Sequence, residues 1–267
     1  VNCGEVLTLR VIAKDELDRI RPLILASLMA DAAAWGKNPF GYRLTSVLLH
    51  ALNAALVCAV ILSALARGTL RGGGNVFAAV AGALLFALHP LVVEAVAEPS
   101  NREDILVLLA ALTGIFAITR SNPERSQFAV NTLLAALAFL AVTAKESGVA
   151  VPFVFAATVL LFDVGAWRKF VPGLLGGLLA VAGFLAASYA LRPVNSAIFL
   201  EAPPPLAKGF IEILGVQVRI WALQLFQIFA PVNLSAHYQP EVIAWIARPV
   251  AASVVALAAA AGAFATS

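Results

Sequence analysis

Only 12% of the 267 residues are Asp, Glu, Lys or Arg, while 61% are hydrophobic. Soluble domains carry about 25% charged and roughly 45–50% apolar residues. A water-exposed globule of this size would have too few charges to cover its surface. This excludes an ordinary soluble enzyme, a disordered chain and a nucleic-acid-binding domain. The remaining solvent is lipid. A bilayer core of about 30 Å takes ~20 helical residues per crossing, so roughly eight crossings fit, with ~100 residues left for loops. The sequence therefore predicts an all-α polytopic membrane protein with about 7–8 transmembrane helices.

Residues 1–37 read as an external loop with an interfacial helix: 1–20 are mixed polar, and 21–35 form an apolar stretch too short to span. Core transmembrane helices are expected over 38–191, with spans near 43–66, 76–97, 104–119, 128–144, 149–163 and 171–191. His89-Pro90 and Glu94 interrupt the second. Residues 192–240 hold a Pro-rich external loop and an apolar segment, 210–230, that includes Glu212, Gln217, Arg219, Gln224 and Gln227. That segment reads as a polar-lined span or an interfacial helix. Residues 241–267 read as a last, truncated transmembrane helix. Val1 in place of an initiator Met and an Ala-rich end at Ser267 lead us to expect part of a longer chain.

The few charges orient the helices. Lys and Arg exceed Asp and Glu by 18 to 15, an excess that reports topology rather than an acidic partner. Arg67, Arg71, Arg120, Arg125, Arg168 and Lys169 occupy three loops with Glu124 as the one acid, which places those loops in the cytoplasm. The segments from His89 to Asp104 and at Lys145-Glu146 then face the outside. Cys3 and Cys58 imply neither a disulfide framework nor a CxxC site. Three separated histidines make a metal site unexpected.

Ionisable groups within or at the ends of membrane helices mark function by default. The densest run is His89-Pro90-x-x-x-Glu94 followed by Arg102-Glu103-Asp104. Pro90 removes a backbone donor, so a distorted helix can bring His89 and Glu94 together, or the span simply ends in headgroup water. Lys145-Glu146 either closes a tight turn as a local ion pair or offers a cation to a phosphate and an acceptor to a hydroxyl. His50 and Asn53 suit interhelical hydrogen bonding. Arg219, among apolar residues, calls for an anion, and His237-Tyr238 suits an interfacial anchor. No Walker loop, HExxH or GxSxG motif is present.

An ordered series of residues resembles a known family. It runs Arg21-Pro22-Leu23, Trp35-Gly36-x-Asn38-Pro39-x-x-Tyr42, Leu48-Leu49-His50-x-x-Asn53 and Phe86-Ala87-Leu88-His89-Pro90-x-x-x-Glu94. It continues as Arg102-x-Asp104-Ile105-Leu106, Lys145-Glu146-x-Gly148 and Pro231-x-Asn233-Leu234-Ser235 with Tyr238. Over about residues 21 to 240 it resembles the membrane region of the transmembrane and tetratricopeptide-repeat O-mannosyltransferases and their bacterial relatives, within the C-type glycosyltransferase (GT-C) superfamily.

The resemblance implies a GT-C-like bundle lacking the usual first helix. It further implies transfer of a mannose-like sugar from a polyprenyl-phosphate carrier to a protein or other hydroxyl acceptor on the external face of a bacterial inner membrane. No tightly bound cofactor and no divalent metal are expected, and the partners are lipid, the donor, an acceptor protein or partner subunits. A carboxylate must deprotonate the acceptor, and cations must stabilise the departing phosphate. In the family an acidic pair in the first external loop supplies the base; here Asp15-Glu16 is the nearest counterpart, and no Asp-Asp pair is present. Arg102, Lys145 and Arg219 are the phosphate-side candidates. His89, Glu94 and Glu146 are candidates for shaping the sugar and acceptor pocket, with Asp104 and Tyr238 beside the substrate. The competing expectation is a non-catalytic membrane subunit; a transporter would show related halves, and none is evident.

Overall fold

The computed structural model describes residues 21–67, 74–121, 127–162, 164–190 and 210–231. The chain divides into two compact units, Val1–Asn195 and Ser196–Ser267. In the first, the helices are α1 (Pro22–Trp35), α2 (Pro39–Arg67), α3 (Gly74–Ala87), α4 (Val93–Ala97), α5 (Arg102–Thr119), α6 (Gln127–Ala144), α7 (Val151–Phe162) and α8 (Val171–Ala190). In the second, α9 covers Phe210–Phe229. No strand occurs among the described residues, and the protein is an all-α membrane protein.

By length and composition, α2, α6 and α8 can each cross a bilayer, and α3 with Pro90–Ala97 makes a fourth crossing bent by 47°. Three or four clear spans lie among the described residues, where seven or eight are expected for the whole chain. The other expected segments differ from these for identifiable reasons. The first turn of α5 carries Arg102, Glu103 and Asp104, α7 has only 12 residues, and the 242–264 segment lies outside the described residues. The 76–97 span breaks at His89-Pro90, where proline cannot donate to the helix.

Lipid offers little hydrophobic drive between helices, so close packing and hydrogen bonds hold the bundle together. Leu134, Leu137 and Ala141 of α6 meet Ile118 of α5 and Val151, Phe155 and Val159 of α7 in one buried cluster. Gly114 leaves room for the Phe155 ring, which a Cβ at that position would strike. Gly173 and Gly177 of α8 lie against Asn131 and Ala138 of α6 in the same way. Asn53 of α2 donates from Nδ2 to the Ile105 carbonyl (3.0 Å), and His50 Nε2 lies 3.1 Å from the Ala87 carbonyl. Both residues are thus the interhelical partners their positions suggest.

The helix ends are sorted by charge. Arg102 at the start of α5 reaches Tyr42 and Ser46 near the start of α2, so these two helices begin at one end of the bundle. Their C-termini, marked by Arg67 and Arg120, lie at the other. Lys169, beside Arg168, joins that second end: its backbone carbonyl accepts from the Gln127 and Asn131 side chains at the start of α6. The first end carries a mixed-charge rim, described next.

Candidate active site

Three helix ends build the rim, each for a local reason. Pro22 at the first helical position starts α1, with Arg21 just outside it. Pro99–Asn101 forms a turn that delivers Arg102-Glu103-Asp104 into the first turn of α5, where acids complement the helix dipole. Lys145 follows the end of α6, where a cation is favoured, in an extended conformation that turns the chain into Glu146–Ala150.

These ends are laced together by ion pairs. Arg21 grips Glu146 with Nε on Oε1 (3.2 Å) and Nη2 on Oε2 (3.0 Å), and its Nη1 reaches Glu103. Lys145 Nζ lies 2.8 Å from both Asp104 oxygens and 3.1 Å from Glu103 Oε1. Glu103 is buried at the centre, whereas Asp104 and Glu146 are 50% and 40% exposed. Two cations and three carboxylates therefore share the rim, and its outer carboxylates meet solvent.

The electrostatics follow from that geometry. Burial would raise the Glu146 pKa, but the hydrogen bond from Arg21, a backbone hydrogen bond and the charges of Arg21 and Lys145 carry it below its ordinary value. Burial would lower Lys145, yet its bonds to Asp104 and Glu103 outweigh that and raise it. Arg21 is likewise raised: burial opposes its charge, and Glu146 and Glu103 more than compensate.

Beneath the rim, Arg102 is fully enclosed. Its Nη2 pairs with Asp31 and bonds the Tyr42 carbonyl (2.7 Å), its Nη1 donates to Ser27 Oγ (2.7 Å), and its Nε donates to Ser46 Oγ (3.0 Å). Thr45 Oγ1 donates to the other Asp31 oxygen at 2.7 Å. Arg102 thus has 0% exposure and polar partners on all its nitrogens, a setting that turns it away from a phosphate in solvent.

The predicted residues separate accordingly. Asp104, Lys145 and Glu146 come together, with Arg102 directly below. Lys145 and Glu146 do not merely close their own turn, because each reaches a different helix. His89 and Glu94 find local partners: His89 Nδ1 accepts from the Leu91 N–H (3.2 Å), and Glu94 accepts from Asn101 (3.4 Å). Arg219 is on α9, in the other unit, and Asp15, Glu16 and Tyr238 lie outside the described residues.

Sequence reasoning missed Arg21, Ser27, Asp31 and Ser46 as members of this end, and it treated Glu103 only as a neighbour in the acidic run. Asp31 carried a usable signal: it is the only charged residue between Pro22 and Gly36. No group of three or more His, Cys, Asp or Glu suited to a metal occurs among the described residues.

The sequence is similar to a group of known proteins. The chain is 30% identical to protein O-mannosyl-transferase Tmtc1 of Drosophila melanogaster over 205 residues, 70% of this chain and 23% of that protein. It is 34% identical to mouse TMTC1 and 32% identical to human TMTC1, each a protein O-mannosyl-transferase, over 101 residues. Those matches cover 38% of this chain and 10% and 11% of the relatives. The chain therefore spans less than a quarter of the length of these curated relatives. No family model matches the chain. No solved structure matches it.

Proposed function

We propose that this chain forms the membrane part of a glycosyltransferase. It would move a mannose-like sugar from a polyprenyl-phosphate carrier to a hydroxyl acceptor on the external face of the membrane, the side the loop charges favour, with a bacterial inner membrane as the proposed location. The observation that carries the reading is the rim of Arg21, Glu103, Asp104, Lys145 and Glu146 at the end opposite the basic turns. The similarity to protein O-mannosyl-transferases supports it.

In this reading the acceptor oxygen attacks the anomeric carbon, the bond from that carbon to the phosphate oxygen breaks, and polyprenyl phosphate leaves. The acceptor proton passes to a carboxylate. Asp104 and Glu146 are the solvent-facing acids of the rim; Asp15 and Glu16 remain the candidates from the sequence. Arg21 and Lys145 are the cations nearest an incoming phosphate, which would compete with their present carboxylate partners. Arg102 supports the rim from below, and His89 and Glu94 shape its flank.

The test is sugar transfer by the purified chain in lipid nanodiscs, supplied with polyprenyl-phosphate mannose and a hydroxyl-bearing peptide, read as a mass increase of one hexose. Alanine at His89, Glu94 and Lys145, singly, is expected to abolish transfer while the protein stays folded. Full transfer by all three variants would sink the assignment. A second reading, a non-catalytic membrane subunit, draws on one observation: Arg21, Lys145 and Arg102 all already hold protein carboxylates. It expects no transfer from the parent chain.

A further inference from the structure

Consecutive residues of α5 grip opposite charges, one on α1 and one at its N-cap. Arg102 takes Asp31, and Glu103 takes Arg21. Ten residues separate Arg21 from Asp31, about 15 Å along a helix, so the two pairs hold α1 near both of its ends. In the second half of α1, from Ala30 to Trp35, every residue is exposed except Asp31, although the Trp35 side chain lies against Gly41 of α2 and Tyr42 Oη donates to the Gly36 carbonyl just past the helix. Asp31 is 4% exposed, and Thr45 supplies the bond for its other oxygen.

We propose that Asp31 is a positioning residue: with Arg102 it seats α1 in one register, and so brings Arg21 onto Glu103 and Glu146. The three residues between α1 and α2 already fix the direction of α1, and the paired signs fix its register: sliding α1 along α5 would part Arg21 from Glu103 and Asp31 from Arg102 together. The rest of α1 is apolar, and among the described residues Ser27, one turn before Asp31, is the other side chain of the helix that binds Arg102. The seating stands on the geometry alone. Its consequence for catalysis rests on the transfer reaction proposed above.

Two cysteine reporters test the seat, in a chain with Cys3 and Cys58 replaced by alanine and held in nanodiscs. Ile24→Cys reports on α1, because Ile24 is on the buried side of that helix at 3% exposure. Val159→Cys reports on the core of α7, at 1% exposure. Asp31→Asn should speed maleimide labelling at position 24 by about tenfold or more, since it leaves Arg102 buried without its counter-charge. Labelling at position 159 should not change, and Asp31→Glu should return position 24 close to the parent rate.

Unchanged labelling at position 24 in Asp31→Asn overturns the proposal. Equal acceleration at both positions also overturns it, because Asp31 would then support the whole bundle rather than α1. Failure of Asp31→Glu to slow labelling overturns the role of the charge. Under the transfer assay, Asp31→Asn should lose at least about tenfold in rate and Asp31→Glu should regain it. A parent chain that transfers no sugar defeats the proposed reaction instead, and the labelling still decides the seat.

Discussion

Arg21 and Glu146 stand 125 positions apart in sequence and meet fork to fork, two nitrogens on two oxygens at 3.2 and 3.0 Å. A bidentate guanidinium–carboxylate pair fixes orientation as well as distance. Lysine cannot reproduce that fork. Arg21→Lys is therefore expected to lower stability modestly, by up to about 1 kcal/mol, because both partners are partly exposed. Arg21→Glu should cost more, since it places a third acid against Glu103 and Glu146. Thermal unfolding in detergent, with Glu146→Gln completing a double-mutant cycle, measures the coupling.

The same rim sets a pH window. Glu146 is held below its ordinary 4.5, so its contribution is whole above that pH and is lost as pH falls through the lowered value. Lys145 is raised above its ordinary 10.5, so its contribution is whole below that pH and is lost as pH rises through the raised value. Arg21 behaves as Lys145 does, at still higher pH. The rim should therefore be at full strength between about pH 5 and 10. Glu146→Gln should flatten the acid side of a melting-temperature profile and leave the neutral plateau's shape intact. An unchanged acid limb would remove Glu146 from this role.

How far the sequence discloses this arrangement differs by residue. Scarce charges single out Arg102, Asp104, Lys145 and Glu146, because an ionisable group beside an apolar helix always needs an explanation. Which charge meets which is another matter. Helical periodicity locates a residue on its own helix, but the partner of Arg102 is decided by how α1 folds back over α5, 71 positions away from Asp31 in the chain. Arg102 and Lys145 read alike in sequence as cations for a phosphate. In the fold, one is enclosed by Asp31, Ser27, Ser46 and Tyr42, and the other opens toward solvent. The break at Pro90 is legible from proline chemistry alone. The size of the bend, 47°, is not read from proline chemistry.

Among the ion pairs of the described residues, Arg102 and Asp31 are the most deeply buried, at 0% and 6% side-chain exposure. Removing one partner of such a pair typically costs 3–5 kcal/mol, or about that order, whereas replacing both by apolar residues is often neutral. Arg102→Met alone should destabilise strongly. Arg102→Met with Asp31→Leu should recover a large part of the loss, short of the whole, because Ser27, Ser46 and Thr45 lose their partners as well. Unfolding midpoints of the two single variants and the double variant check this.

Gly114 and Phe155 make a steric prediction at the other face of α5. A Cβ at position 114 would run into the Phe155 ring, which is itself buried at 1% exposure. Overpacking of this kind costs roughly 1–3 kcal/mol. Gly114→Ala should lower the unfolding midpoint, and Phe155→Leu in the same chain should restore part of it by removing the ring. If Gly114→Ala unfolds at the parent temperature, the two helices do not approach as closely as described.

The break between α3 and α4 gives the last test, and it turns on two histidines. Proline at position 90 ends the helical hydrogen-bond ladder, which frees the Ala87 carbonyl and the Leu91 N–H from each other. His50 Nε2 takes the carbonyl and His89 Nδ1 takes the N–H, so each orphaned group has an imidazole partner. For both bonds to form, His50 carries its proton on Nε2 and His89 leaves Nδ1 bare. His89→Ala should free the Leu91 amide, and that amide should exchange with solvent about tenfold faster, in line with the ~1 kcal/mol of a typical lost cap. His50→Ala should leave the Leu91 amide protected while loosening the contact between α2 and α3. Hydrogen exchange resolved to residues 84–94 separates the two effects. Equal protection of Leu91 in His89→Ala and the parent would show that His89 does not cap the break.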